Sequence, residues 1–285
     1  MAGSDHAPRS VELPRFERGF LRSTQSLTRI GDGELGGKAG GLARAREILA
    51  GGFDAARFPE IQVEIPRTAV LTSDLFEAFV ARNRLEPPDD ADVADDRLAL
   101  AFQQGDLPIE VLGDLRALVE ELHQPLAVRS SSLLEDALYR PFAGVYETKM
   151  IPNNQPDADT RFRRLAEAIK LVYASTWFRA ARDYQRTTER TPRDEKMAVV
   201  LQEVVGRRFD ERYYPHLSGV AKSYNFYPGA RARPEDGVVS LALGLGKTIV
   251  DGGVCWSYSP AWPRRRRPSP RRASWSTERR RASGP

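Results

Sequence analysis

Apolar and polar positions along the chain fall into short blocks that read as strands and helices in turn. Ile61-Gln62-Val63-Glu64-Ile65 alternates with period two, as a strand with one covered face does. Thr68 to Thr72 reads as another short strand, and Thr72 or Ser73 can cap a helix running to about Asn83. Leu126-Ala127-Val128 is an apolar lead-in to a buried strand with Arg129 and the serines Ser130 to Ser132 at its exit, and a second strand-like run ends at Thr148. Met197 to Val205 is a strongly apolar strand that carries one amide, Gln202, and one carboxylate, Glu203. Ser218-Gly219-Val220 opens a strand, and Val238 to Leu243 is a further one. Helical spacing marks Leu42, Ala45, Ile48 and Leu49, with Gly51-Gly52 as a stop. Pro108 suits the first position of a helix to about His123. Residues 157–190 form the longest helical stretch, with Phe162, Leu165, Ile169, Val172, Tyr173 and Trp177 on one face. Residues 1–24 read as a polar leader, and the first organised unit starts near Leu27.

Composition narrows the class. A chain of 285 residues, 41% hydrophobic and 29% charged, is long enough for one large or two small domains with a real core. No apolar run reaches the length of a membrane span, and the first twenty residues hold no apolar signal core. The single cysteine, Cys255, excludes an internal disulfide, and these features together favour the cytoplasm. The net charge of +4 is uneven: residues 264–285 hold nine Arg and one Glu, which is +8, so residues 1–263 carry −4. A nucleic-acid role therefore concerns the tail alone. That tail is almost wholly Arg, Pro, Ser, Ala and Trp, without helix or strand period, and reads as disordered.

Candidate chemistry concentrates in two places. At the first, Arg129 and Ser130 to Ser132 are followed by Glu135-Asp136 and by the small-residue turn Phe142-Ala143-Gly144. A guanidinium forks onto two phosphate oxygens, and a glycine loop lets backbone N–H groups approach an anion. The same residues also suit a solvated polar loop between two strands. At the second, Gly36-Gly37 place Lys38 at a helix start, where free N–H groups and the helix dipole attract phosphate; a surface lysine after a glycine-rich connection is the plainer alternative. Gly246-Lys247-Thr248 ends like a P-loop, but the glycine such a loop needs five residues earlier is Leu241. The acidic run 87–97 reads as a solvated loop, not a metal site, and His6, His123 and His216 as ordinary surface or packing residues.

Ala127-Val128-Arg129-Ser130-Ser131, Glu135-Asp136, and Phe142-Ala143-Gly144 with Glu147-Thr148 together resemble the N-terminal ATP-binding domain of the phosphoenolpyruvate synthase and pyruvate phosphate dikinase family. The resemblance extends over about residues 27–263 and takes in Gly36-Gly37-Lys38, Gln202 with Val204-Val205, Ser218-Gly219-Val220, and Gly244-Leu245-Gly246 with Val250 and Gly252. It implies an α+β, ATP-grasp-like fold of two lobes with mixed sheets and flanking helices, an N-terminal lobe over 25–125 and a second lobe over 126–263, holding ATP between them. It further implies that Lys38 and Arg129 neutralise the triphosphate and are the catalytic residues. Ser130, Gly144 and Thr148 then fix the phosphates, and Gln202 borders the adenine. In the family, ATP phosphorylates a histidine on a separate carrier domain, which passes the group to pyruvate or a related acceptor.

The family's Mg²⁺-holding Glu and Gln have no counterpart before Pro263, and the carrier-histidine domain is not in this chain. Both are expected in polypeptide beyond it, and the chain alone is expected to be inactive or slow. Lys247 stands where the family has Glu, and Val145-Tyr146 and Leu133-Leu134 also depart from its pattern. Resemblance stops abruptly after Pro263, which suggests out-of-frame translation of the tail. A non-catalytic nucleotide-binding module and a nucleic-acid binder acting through the tail stay open as alternatives. Deleting residues 264–285 is expected to leave ATP affinity unchanged in calorimetry; loss of RNA binding on that deletion would instead mark the tail as a basic arm.

Overall fold

A computed structural model describes residues 12–88, 92–132, 144–186, 195–229, 231–250 and 253–263, with the backbone alone at Lys247. His6, Glu135-Asp136, Phe142-Ala143, Gly252 and the tail lie outside the described residues. The chain divides into two compact units, residues 1–204 and 205–285.

The first unit is built on a five-stranded mixed sheet of order β1-β2-β5-β3-β4. Its strands are β1 (Leu27–Ile30), β2 (Thr68–Leu71), β3 (Leu126–Ser132), β4 (Thr148–Ile151) and β5 (Met197–Glu203). The β1–β2 pair is parallel; β2–β5, β5–β3 and β3–β4 are antiparallel. β5 is the central strand, apolar on both faces, as a strand covered on two sides must be. Leu126, Val128, Ile151, Met197, Val199 and Leu201 point into the larger core. That core is completed by α2 (Ser73–Arg82), α3 (Asp95–Gln104), α4 (Ile109–Glu121) and α5 (Ala158–Ser175). Its centre is aromatic: Phe79 lies 5.5 Å from Tyr173 and 5.7 Å from Phe102, and Phe102 packs edge-on to Trp177 at 5.0 Å. The other face is covered by α1 (Gly36–Gly52), where Ala39 and Ala43 pack on Val70, Ala198 and Val200. Small side chains at that contact let the helix lie close to the sheet.

The second unit holds a three-stranded antiparallel sheet of order β10-β9-β8 and a β6–β7 hairpin. Its elements are β6 (Arg207–Phe209), β7 (Arg212–Tyr214), β8 (Leu217–Lys222), β9 (Val238–Leu243), the short helix α7 (Lys247–Val250) and β10 (Trp256–Tyr258).

Several expectations need correction. The chain's compact units divide after Val204, and β5 pairs with both β2 and β3, so one sheet draws strands from both sides of residues 125 and 126. The supposed polar leader is partly core: Leu13, Phe16, Phe20 and Leu21 are buried, and Phe16 N–H donates to the Arg29 carbonyl at 2.7 Å. Residues 61–65 form no strand and are mostly exposed; nothing pairs with them despite their alternation. The long helix over 157–190 is two, α5 and α6 (Arg179–Arg186), broken at Thr176–Phe178. Helix α3 occupies part of the stretch read as an acidic loop, with Asp95 and Asp96 in its first turn. On α1, Ile48 is exposed and Ala39 and Ala43 do the packing.

Phe16→Ala and Phe20→Ala should each lower unfolding free energy by about 3 kcal/mol in urea titrations. A solvated leader would lose nothing.

Candidate functional site

The candidate site begins in the loop before α1. Gly31, at φ +97°, and Gly33 lie against the start of α2, where an added Cβ would stand 2.1 Å from Thr72 Oγ1 and 2.6 Å from Asp74 N respectively. Such contacts admit no side chain, so glycine is required at both. Asp74 accepts from the backbone N–H groups of Asp32 at 3.0 Å and Gly33 at 2.9 Å, and from the Thr72 hydroxyl. Ser73 Oγ accepts from Glu34 N–H at 3.0 Å. The loop is thus clamped to α2. Burial pushes the Asp74 carboxyl up, but the hydrogen bonds to its ionised form outweigh it and hold it below its ordinary value.

A second clamp ties the start of α1 to β3. The Ser131 hydroxyl donates to the Leu35 carbonyl at 2.8 Å and accepts from Ala39 N–H at 3.0 Å. It therefore stands between two groups that bond each other in an uninterrupted helix. Gly36, at φ +69°, passes so close that a Cβ there would lie 1.8 Å from the Ser131 carbonyl oxygen. Lys38 is thereby carried to β3, and its Nζ donates to Ser130 Oγ at 3.2 Å.

Register does the rest. Arg129 lies opposite Thr148 on β4 and Val200 on β5, and Gln202 lies opposite Ala127 and Thr68. Residues directly opposite share a face, so Arg129, Thr148 and Gln202 stand on the face that α1 covers. β4 pairing ends at Thr148, and Gly144, exposed at φ +85° with open space around it, lies four residues earlier. Ser130 is buried, Arg129 half-buried and Thr148 exposed. Gln202 Nε2 donates to Thr68 Oγ1 at 3.1 Å. The serines and Arg129 belong to β3 itself, not to its exit, because Ser130 to Ser132 pair with Val199 to Met197. All six expected site residues, Lys38, Arg129, Ser130, Gly144, Thr148 and Gln202, lie within the first unit. Gly244 to Thr248 belong to the second.

The sequence reading passed over Ser131 as a buttress, over Asp74, and over the glycines at 31 and 33. Two glycines alternating just before the Gly36-Gly37 pair were the available sign of a loop pressed on both sides. Burial pushes the carboxyl of Glu203, the one carboxylate of β5, above its ordinary value, with Arg67 pulling the other way. Among the described residues, no group of three or more His, Cys, Asp or Glu could hold a metal ion.

Lys38 Nζ thus meets the Ser130 hydroxyl, and Ser130 adjoins Arg129 on β3. Residues 33–266 match the family described as pyruvate phosphate dikinase, AMP/ATP-binding domain. The chain belongs to that family. Its helices and mixed sheets are those of an α+β, ATP-grasp-like nucleotide-binding domain. No curated protein matched the chain. Among the described residues no helix of this ATP-binding domain is long and apolar enough to cross a membrane.

Ser131→Ala should cost the ATP-binding domain about 1–2 kcal/mol in urea unfolding, through the lost bridge into α1. Asp74 is held ionised by folding, so the clamp it makes is present above its ordinary value of 3.8 and lost as pH falls through its depressed folded value. The amide resonances of Asp32 and Gly33 should titrate together in that acid range, and Asp74→Asn should abolish the transition.

Proposed function

We propose that this chain is the ATP-binding part of a phosphoenolpyruvate-synthase-like phosphotransferase, one that phosphorylates a carrier histidine on another domain for transfer to pyruvate or a related acceptor. The observation that supports this reading best is the Lys38–Ser130 hydrogen bond, which sets an ammonium beside the residue adjoining Arg129. Phosphoryl transfer depends on positioning and charge neutralisation more than on protein nucleophiles. Lys38 offers a point charge and Arg129 a planar fork, which together suit the several oxygens of a triphosphate. Ser130 and Thr148 add hydroxyl donors, and Gly144 leaves its N–H approachable. Gln202, its amide nitrogen already bonded to Thr68, would present an acceptor to an exocyclic amine such as that of adenine. Mg²⁺ would accompany the nucleotide and further neutralise its phosphates.

Isothermal calorimetry with ATP and with inorganic triphosphate separates these roles. Lys38→Ala and Arg129→Ala should each weaken both ligands at least about tenfold, the equivalent of ~1.4 kcal/mol. Gln202→Ala should weaken ATP and leave triphosphate unchanged. Affinities indifferent to Lys38 and Arg129 would refute the site. Phosphorylation of a supplied carrier-histidine domain in the presence of Mg²⁺ distinguishes an enzyme from a module that only holds nucleotide.

A further inference from the structure

Strand β4 stands at one end of the first unit's sheet, and among the described residues it pairs along one edge only, with β3. Thr148, Lys149 and Met150 are exposed. A strand edge of this kind presents a row of main-chain N–H and C=O groups on which another strand can pair. Beside it lies an open groove of about 1050 Å³. Lys149 to Pro152 line one side of the groove, and Phe162, Arg163 and Lys170 of α5 line the other. Lys149 lies opposite Val128, whose side chain is in the larger core, so Lys149 stands on the α5 side of the sheet.

The groove is cationic. Glu167, the carboxylate in its lining, pairs with Arg164 at 3.1 Å. Among the described residues no carboxylate comes within 4.0 Å of Lys149, Arg163 or Lys170. Lys170 Nζ donates to the Gln103 carbonyl at 3.2 Å. Burial pushes its ammonium below the ordinary value, with Asp106 and Glu167 pulling the other way. Residues 1–263 as a whole carry −4, so positive charge is gathered here against the balance of the body.

An acidic polypeptide strand fits both the edge and the charge. Alternate side chains of a strand recur on one face about every 7 Å, and Arg163 and Lys170 stand about 10 Å apart along α5. Acids at every second position of an added strand therefore meet the cations on the helix side. The residues between them fall on the other face, beside Met150, which is 60% exposed. A nucleic acid would match the charge but has no peptide groups to pair with the strand. A second copy of β4 would bring the charge of Lys149 against its own kind. We propose that the edge of β4 takes up an extended segment of a partner polypeptide in which acidic and apolar residues alternate.

Fluorescence anisotropy of the full chain with a labelled octapeptide of alternating Glu and Val tests this. Binding should saturate, and should weaken as salt rises from ~50 to ~500 mM. Lys149→Glu and Arg163→Glu, both at exposed positions, should each weaken it at least about tenfold without changing circular dichroism. Arg57→Glu, at an exposed position outside the groove lining, should bind as the parent does. The same peptide methylated on its main-chain nitrogens cannot donate to the strand and should lose binding, and a peptide of equal composition with its Glu and Val in two blocks should bind more weakly. No saturable binding, equal binding of the methylated or block peptide, or affinity indifferent to Lys149 and Arg163 overturns the inference. So does a single-stranded oligonucleotide that binds more tightly than the peptide and is released by the same two substitutions.

Discussion

The insertion of the Ser131 hydroxyl into the first turn of α1 is the contact on which the rest of the site depends. One oxygen accepts from Ala39 N–H and donates to the Leu35 carbonyl, so two buried main-chain groups are satisfied by a side chain from another element. Close docking of the helix start is possible only because residue 36 has no Cβ to meet the Ser131 carbonyl. Lys38 follows two residues later and is carried to Ser130. From the other side, Asp74 and Ser73 hold the loop through its own amides. The lysine is therefore placed by main-chain geometry fixed at both ends, and its reach does not rest on a flexible connection.

This construction has an electrostatic consequence. Lys38 and Arg129 are both cations: Lys38 reaches Ser130 from α1, and Arg129 precedes Ser130 on β3. Under the proposed reading, a bound polyphosphate would offset both charges. Thr148 enters the same group through strand pairing, although nineteen positions separate it from Arg129 in the chain.

The two units are built differently. In the first, the sheet has α1 on one face and α2 to α5 on the other, with β5 apolar from Met197 to Leu201. In the second, pairing of β8, β9 and β10 sets mostly apolar rows on one face of the sheet and serine-bearing rows on the other. Hydrophobic burial scales with area removed from water, so the first unit's sheet gains from both of its faces.

Local chemistry alone determined much of this protein. Period-two and period-3.6 patterns placed β2, β5, β9, α2 and α4 close to their observed bounds, because each carries its signal within a few residues. The spacing of Arg129, the serines and Gly144, together with Gly36-Gly37-Lys38, pointed to phosphate and to the family. What the chain could not show by itself was pairing. Ile61 to Ile65 alternate like a strand but pair with no strand among the described residues, whereas Leu13, Phe16 and Phe20 sit in a polar stretch and are buried by contacts distant in sequence. The same holds for the unit boundary and for the role of Ser131: both follow from β3 meeting β5 and α1, and long-range contact leaves no periodic trace in the strands and helices it joins.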